Sequence, residues 1–254
     1  MTKGKEIIVA NSLEGLRAAI IGGTSGLGLA LVEELSACGV AVAFVARDPV
    51  GVSRVAAQHP GTHGIVGDIS KKDDIYPLAL QITGTLGGLE ILINSASALG
   101  PVPLALLADT DCEDFERALA TNVLGPFRLT KALMGALTMG ARGGMGAVVV
   151  NVSSDAAVSA YSGWGAYGAS KAALHHMSRI WNEELAGEGV RVLSLDPGDM
   201  DTPLHAQAVP EADRAALKRP ATAARELVAA IVEALPGSQR VERRHGEDVE
   251  TIAL

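Results

Sequence analysis

Six apolar runs of strand length, at residues 17–21, 40–46, 62–67, 89–94, 147–152 and 190–195, alternate with stretches of helical periodicity. Runs this apolar have no polar face, so each strand has to be covered on both sides. A parallel sheet whose crossovers are helices lying on its two faces meets that condition. The pattern predicts a single-domain, doubly wound α/β fold with a parallel sheet of six or seven strands. Composition agrees, with 48% hydrophobic residues but only 3% aromatic, so the helices must pack through small side chains. Residues 26–38 read as a helix with Leu27, Ala30, Leu31 and Leu35 on one face. Asp48 and Pro49 read as an N-cap and first-turn proline. Long helices are expected over about 111–139 and 165–186.

Residues 1–16 read as an N-terminal arm, 17–235 as the catalytic domain and 236–254 as a polar C-terminal tail. The segment after Gly198, with Pro203, Pro210, Pro220 and an amphipathic stretch at 211–219, breaks the rhythm and reads as a flap or a surface helix. A formal net charge of −8 without a Lys/Arg block argues against nucleic-acid binding. Cys38, Cys112 and the scattered histidines have neither disulfide nor metal-ligand spacing, so no metal is expected. No run approaches the ~20 apolar residues of a bilayer span. The apolar stretch near the start is too short for a signal peptide, so no membrane partner and a cytoplasmic location are expected.

Tyr167 and Lys171 stand four residues apart, one helical turn on one face, and Ser154 precedes the tyrosine by thirteen residues. An ammonium beside a phenol favours phenolate, which is expected to lower the Tyr167 pKa. A phenol so tuned passes a proton to or from an alcohol or carbonyl oxygen, which a serine hydroxyl can hold. At the other end of the chain the first strand runs into Gly22-Gly23-Thr24-Ser25-Gly26-Leu27-Gly28. Glycines there let the backbone approach a diphosphate, and the next helix presents its N-terminal amides to the anion.

With four further motifs, this chain resembles the short-chain dehydrogenase/reductases over about residues 16–203. Asp68-Ile69 resembles the pair that contacts adenine, and Asn94-Ser95-Ala96-Ser97 is similar to the family's Asn-Asn-Ala-Gly. Asn122 matches the helix asparagine, and the segment from Pro197 to Thr202 matches the loop that holds the nicotinamide carboxamide. The resemblance implies a Rossmann fold, an NAD(P)-dependent oxidoreductase acting on CH–OH/C=O groups, and a catalytic set of Asn122, Ser154, Tyr167 and Lys171. In that set Tyr167 is the general acid, Ser154 holds the substrate oxygen, Lys171 lowers the phenol pKa and binds the nicotinamide ribose, and Asn122 anchors a relay water. It implies cofactor contacts from Gly22, Thr24, Ser25, Gly26, Leu27, Gly28, Arg47, Asp68, Ile69, Asn94, Ala96, Tyr167, Lys171, Pro197, Gly198, Met200 and Thr202. Departures are Ile21 for the fingerprint threonine, Ser95 and Ser97 for asparagine and glycine, and no recognisable C-terminal Asp-Gly-Gly.

Ala46 stands where the family's NAD-type aspartate would be, and Arg47 follows it, so NADP is preferred and NAD is not excluded. Asp155, Tyr161, Trp164 and Leu204 are expected at the substrate pocket. The string at 162–167 resembles the sepiapterin reductase branch of the family. The leading expectation is an NADPH-dependent carbonyl reductase acting on a small-molecule carbonyl or alcohol. A 3-oxoacyl thioester reductase is the enzymatic alternative, and an NADP-sensing module without turnover is the alternative from another class. By analogy with the family, a homodimer or higher homo-oligomer would form through the helices at 111–139 and 165–186.

Overall fold

The computed structural model describes residues 12–235; the tail at 236–254 and residues 1–11 of the arm lie outside them. Six strands, β1 (Arg17–Ile21), β2 (Ala41–Ala46), β3 (His63–Val66), β4 (Ile91–Asn94), β5 (Ala147–Val152) and β6 (Val190–Leu195), pair in the order β3-β2-β1-β4-β5-β6. Every pairing is parallel. The helices are α1 (Gly26–Ala37), α2 (Pro49–Gln58), α3 (Ile75–Leu86), α4 (Cys112–Leu119), α5 (Gly125–Arg142), α6 (Gly165–Leu185), α7 (Pro203–Ala208) and α8 (Pro220–Ala234).

Alternation along the strands divides the core into two layers. Ala18, Ile20, Val42, Phe44, Ile91 and Ile93 pack under α1 and α8, against Leu31, Leu35, Leu227 and Val228. Ala19, Ile21, Val45, Leu92 and Val149 face the other way, against Leu78 and Ile82 of α3 and Leu129, Leu133 and Leu137 of α5. Each such side chain contributes ~1.5–3 kcal/mol by leaving water. Leu13 and Leu16, from the stretch read as an arm, are buried in the first layer, and the Leu16 carbonyl accepts from Ala41 N–H at 2.9 Å.

Two local expectations change. The helix expected over 111–139 runs on to Arg142 but carries a π-type turn inside it: α4 ends at Leu119, the π-type turn fills Ala120–Leu124, and α5 continues from Gly125. Pro126 is the cause, because it has no N–H to give the carbonyl of Asn122 four residues back. The stretch at 211–219 is not a helix. It is a series of turns tied back by a bridge between Met200 and Lys218. Asp213 draws a turn there by accepting from Ala215 N–H at 3.0 Å.

Candidate active site

Register aligns the carboxyl ends of the central strands. Ile21 pairs with Asn94, Asn94 with Asn151, and Asn151 with Ser194. The segments that follow these residues therefore emerge side by side, at the point where strand order reverses between β1 and β4. They enclose a cleft of about 1320 Å³.

At one end lies the glycine loop. Gly22 has φ +93°, and a Cβ there would lie 2.8 Å from Ala96 N. A Cβ on Gly28 would lie 2.1 Å from the Gly22 carbonyl oxygen. The loop therefore folds onto itself and onto the segment after β4 with no room for side chains. Ser25, the N-cap of α1, makes no side-chain cap bond, so the first amides of α1 point at the cleft without a side-chain acceptor. Asp48 behaves differently. Its two oxygens accept from Val50 and Gly51 N–H at 3.2 and 2.9 Å and cap α2. Arg47 lines the cleft, and Arg54 Nη2 donates to the Thr24 carbonyl at 3.3 Å. An uncapped helix end, a glycine-rich loop and an arginine beside it fit a phosphorylated dinucleotide.

Thr24, Ser25, Gly26, Leu27, Asp68, Ile69, Ala96, Pro197, Gly198, Met200 and Thr202 also line the cleft, as do Asp155, Tyr161, Trp164 and Leu204. Ser154, Tyr167 and Lys171 are brought together in it. Asn94 and Asn122 are not among its lining residues. Asn94 is turned into the sheet, where its Nδ2 donates to Asn151 Oδ1 at 2.8 Å. Asn122 is wholly buried. Its Nδ2 donates to Ala98 O and Ser170 Oγ, both at 2.8 Å, while its Oδ1 accepts from Ala98 N–H at 2.8 Å. This side chain clamps the loop after β4 to helix α6, and α6 carries Tyr167 and Lys171.

The electrostatics of the pair run against the sequence expectation. Burial pushes the Tyr167 phenol up from 10 to about 12, more than hydrogen bonds with the Ser154 and Ser97 hydroxyls pull it down. The Lys171 ammonium lies 5.5 Å from the Tyr167 ring centroid and donates to Val152 O at 2.7 Å. Its own burial pushes it down from 10.5 to about 8. The lysine is thus desolvated along with the phenol, and in each the loss of water is the largest influence.

A stability prediction follows from Lys171. Between about 8 and 10.5 the unfolded chain holds this proton and the folded chain does not. Stability therefore rises with pH across that window, and below it the buried charge is a cost. That cost is roughly 3 kcal/mol, at the upper end of the ~1.5–3 kcal/mol of one hydrogen bond from a charged group. Lys171→Met is expected to raise the Tm of the cofactor-free protein at pH 7, and the gain should shrink by pH 10. Calorimetry at the two pH values checks this; a variant less stable at pH 7 would contradict it.

Several residues carry more than their sequence positions suggested. Ser97, where the family has glycine, lines the cleft and donates to Asn122 Oδ1 at 3.3 Å. Asp196, directly after β6, acts on both Tyr167 and Lys171 by its charge. Asn151 Nδ2 donates to Ser178 Oγ at 2.8 Å and ties β5 to α6. A strand-end register would have found Asp196, since functional side chains gather past the carboxyl ends of parallel strands. Nothing in the spacing pointed to Ser97 or Ser178. Among the described residues no group of His, Cys, Asp or Glu could hold a metal ion, and no helix is long and apolar enough to cross a membrane.

Comparison with known proteins places this geometry. The family model described as short chain dehydrogenase matches residues 17–213. Human 3-hydroxyacyl-CoA dehydrogenase type-2 is 31% identical over 200 residues, 76% of each chain. Carbonyl reductase family member 4 of Xenopus tropicalis is 31% identical over 185 residues, 72% of this chain and 75% of that protein. An uncharacterized short-chain type dehydrogenase/reductase of Sinorhizobium fredii is 33% identical over 192 residues, 74% of this chain but 33% of that protein. The chain therefore spans about a third of that relative and about three quarters of the other two. Among solved structures, 3-ketoacyl-(acyl-carrier-protein) reductase from Brucella melitensis, complexed with NADH, superposes with a TM-score of 0.79 at 27% identity. That match covers 89% of this chain and 93% of the other. With a family model over most of its length and relatives above 30% identity, the chain belongs to the short-chain dehydrogenase family.

Proposed function

We propose that the protein is an NADPH-dependent carbonyl reductase that converts a ketone to a secondary alcohol. The observation that carries this reading is the convergence of Ser154, Tyr167 and Lys171 on one cleft with the glycine loop. When bound, the cofactor supplies a hydride for the carbonyl carbon. The chain's own part is the oxygen. The Ser154 hydroxyl hydrogen-bonds the carbonyl oxygen, and the Tyr167 phenol gives it a proton. A phenol held at about 12 stays protonated at neutral pH, which is the form a reduction needs. Lys171, whose ammonium donates to Val152 O, would bind the nicotinamide ribose, and Asn122 acts at a distance by holding α6 in place.

The glycine loop, the first amides of α1, Asp68, Ile69, Ala96 and the segment from Pro197 to Thr202 would hold the dinucleotide. NADP is the preferred form. Asp48, which follows Arg47 directly, uses both carboxylate oxygens to cap α2. Arg47 lines the cleft and would meet a phosphate. Arg47→Ala is expected to cut kcat/KM for NADPH by about tenfold or more, the worth of one charge-assisted bond, with a smaller effect on NADH. Steady-state rates with both cofactors measure this; an NAD preference untouched by the change contradicts it.

A 3-oxoacyl thioester is the second reading, supported by the likeness to the human 3-hydroxyacyl-CoA dehydrogenase and the Brucella 3-ketoacyl-(acyl-carrier-protein) reductase. The same three side chains would serve it, and rates on ketones against acyl thioesters separate the two. A homodimer is also proposed. Its support is the partly exposed apolar face of α5 and α6, where Phe127 stacks on Trp181 at 5.5 Å beside Ile180.

A further inference from the structure

Asp155 follows Ser154 directly and turns its carboxylate back onto it. Ser154 Oγ donates to Asp155 Oδ1 at 3.0 Å, and Tyr161 OH donates to Oδ2 at 2.7 Å. The Ala156 N–H donates to Ser154 Oγ at 3.2 Å. A serine hydroxyl has one proton, and here it is directed at Asp155 rather than into the cleft. Tyr161, and after it Ser154, hold Asp155 below the usual carboxylate range against the opposing effect of burial. It is therefore a negative charge one hydrogen bond from the group proposed to hold the substrate oxygen.

The surrounding charges do not cancel it. Asp199 lies near enough to act on the Tyr161 phenol, and its Oδ1 is 3.8 Å from His205 Nε2. Asp196 acts on Tyr167 and Lys171. Among the described residues, Arg47 and Lys171 are the Arg and Lys side chains that line the cleft. Arg47 stands beyond β2, and Lys171 is turned to the Val152 carbonyl.

We infer that Asp155 is a specificity-determining residue: it selects carbonyl substrates with a hydroxyl or amine beside the carbonyl and rejects those with a carboxylate there. This rests on the carbonyl-reductase reading above. For Ser154 to bond the carbonyl oxygen, its proton has to leave Asp155 Oδ1. A plain ketone returns nothing, and that carboxylate oxygen loses a partner. A hydroxyl or amine on the neighbouring carbon takes the vacated place, so the number of hydrogen bonds is conserved through binding. A carboxylate at that place meets like charge at short range, which is discrimination by repulsion. Water reaches Asp155, so each effect is expected near tenfold rather than thousandfold.

The test uses butanone, acetoin and α-ketobutyrate, matched in chain length, with NADPH and the full-length protein. Wild type should show kcat/KM for acetoin about tenfold above butanone, and for α-ketobutyrate tenfold or more below it. Asp155→Asn keeps an acceptor for Tyr161 but removes the charge, so the α-ketobutyrate-to-butanone ratio should rise about tenfold. Asp155→Ala should also erase the acetoin advantage. Tm values confirm that both variants fold. Tryptophan-fluorescence titration of Tyr167→Phe with the same three compounds reads binding without turnover and should give the same order. Turnover of butanone with no discrimination against α-ketobutyrate, or ratios unmoved by Asp155→Asn, would overturn this inference alone. No turnover of any of the three would overturn the carbonyl-reductase reading, and this inference with it.

Discussion

Replacing Tyr167 by phenylalanine is expected to lower kcat by roughly 10²–10⁴-fold, the usual contribution of a positioned general acid. The loss corresponds to ~3–5 kcal/mol of transition-state stabilisation. The change removes one oxygen and leaves the ring, which packs edge-to-face on Trp164 with centroids 5.6 Å apart. The hydroxyls left behind keep other partners: Ser154 has Asp155, and Ser97 has Asn122. The fold should therefore change by no more than about 1 kcal/mol, and NADPH affinity by less than a few-fold. Single-turnover kinetics and a cofactor titration on the same sample separate the two quantities. Equal losses in kcat and in cofactor affinity would mean that the phenol is structural.

Gly28→Ala is expected to abolish cofactor binding and to destabilise the fold. Its Cβ would stand 2.1 Å from the Gly22 oxygen and 2.8 Å from the Gly22 carbonyl carbon. Both are backbone atoms, so no side chain can turn away. Relief requires α1 to move off the end of β1, at a cost of ~1–3 kcal/mol or more. The same movement takes the first amides of α1 away from the phosphate position, and NADPH affinity should fall at least a hundredfold. Calorimetric titration and Tm measure the two effects. Gly135→Ala in α5 is the internal control, because a Cβ there meets nothing within 4 Å. It should be neutral or stabilising by up to ~1 kcal/mol. If Gly28→Ala binds NADPH as wild type does, the glycine loop is not the phosphate cradle.

What the sequence made legible was whatever depends on local sterics or on alternation. Strands at Arg17–Ile21 and Ala147–Val152 lie where the apolar runs place them, because burial on both faces leaves one architecture. Asp48 caps α2 as its place before Pro49 implied. The cleft brings Ser154, Tyr167 and Lys171 together from β5 and α6. The parts that escaped depend on neighbours distant in sequence. Asn94 carries a family motif, yet its Nδ2 donates to Asn151 across the sheet while its buried Oδ1 finds no partner, a pairing fixed only by register. The rise of the Tyr167 pKa reflects burial by residues from several loops, which a helix spacing cannot report. Pro126 was visible, but its effect on the Asn122 carbonyl emerges only when the helix is followed turn by turn. Ser97 was legible only as a departure from the family's glycine; in the folded chain it lines the cleft beside Asn122 and Tyr167.

The central claim is that this cleft directs a hydride onto a carbonyl carbon while its own phenol protonates the oxygen. The most direct measurement is isotopic. The protein is incubated with acetoin and NADPH carrying deuterium at the transferable position, and the product is analysed by mass spectrometry and NMR. The account predicts one deuterium on the new carbinol carbon of a single stereoisomer, with transfer lost in Tyr167→Phe. Tight NADPH binding with no deuterium in any product, across hydroxyketones and simple ketones alike, would contradict it.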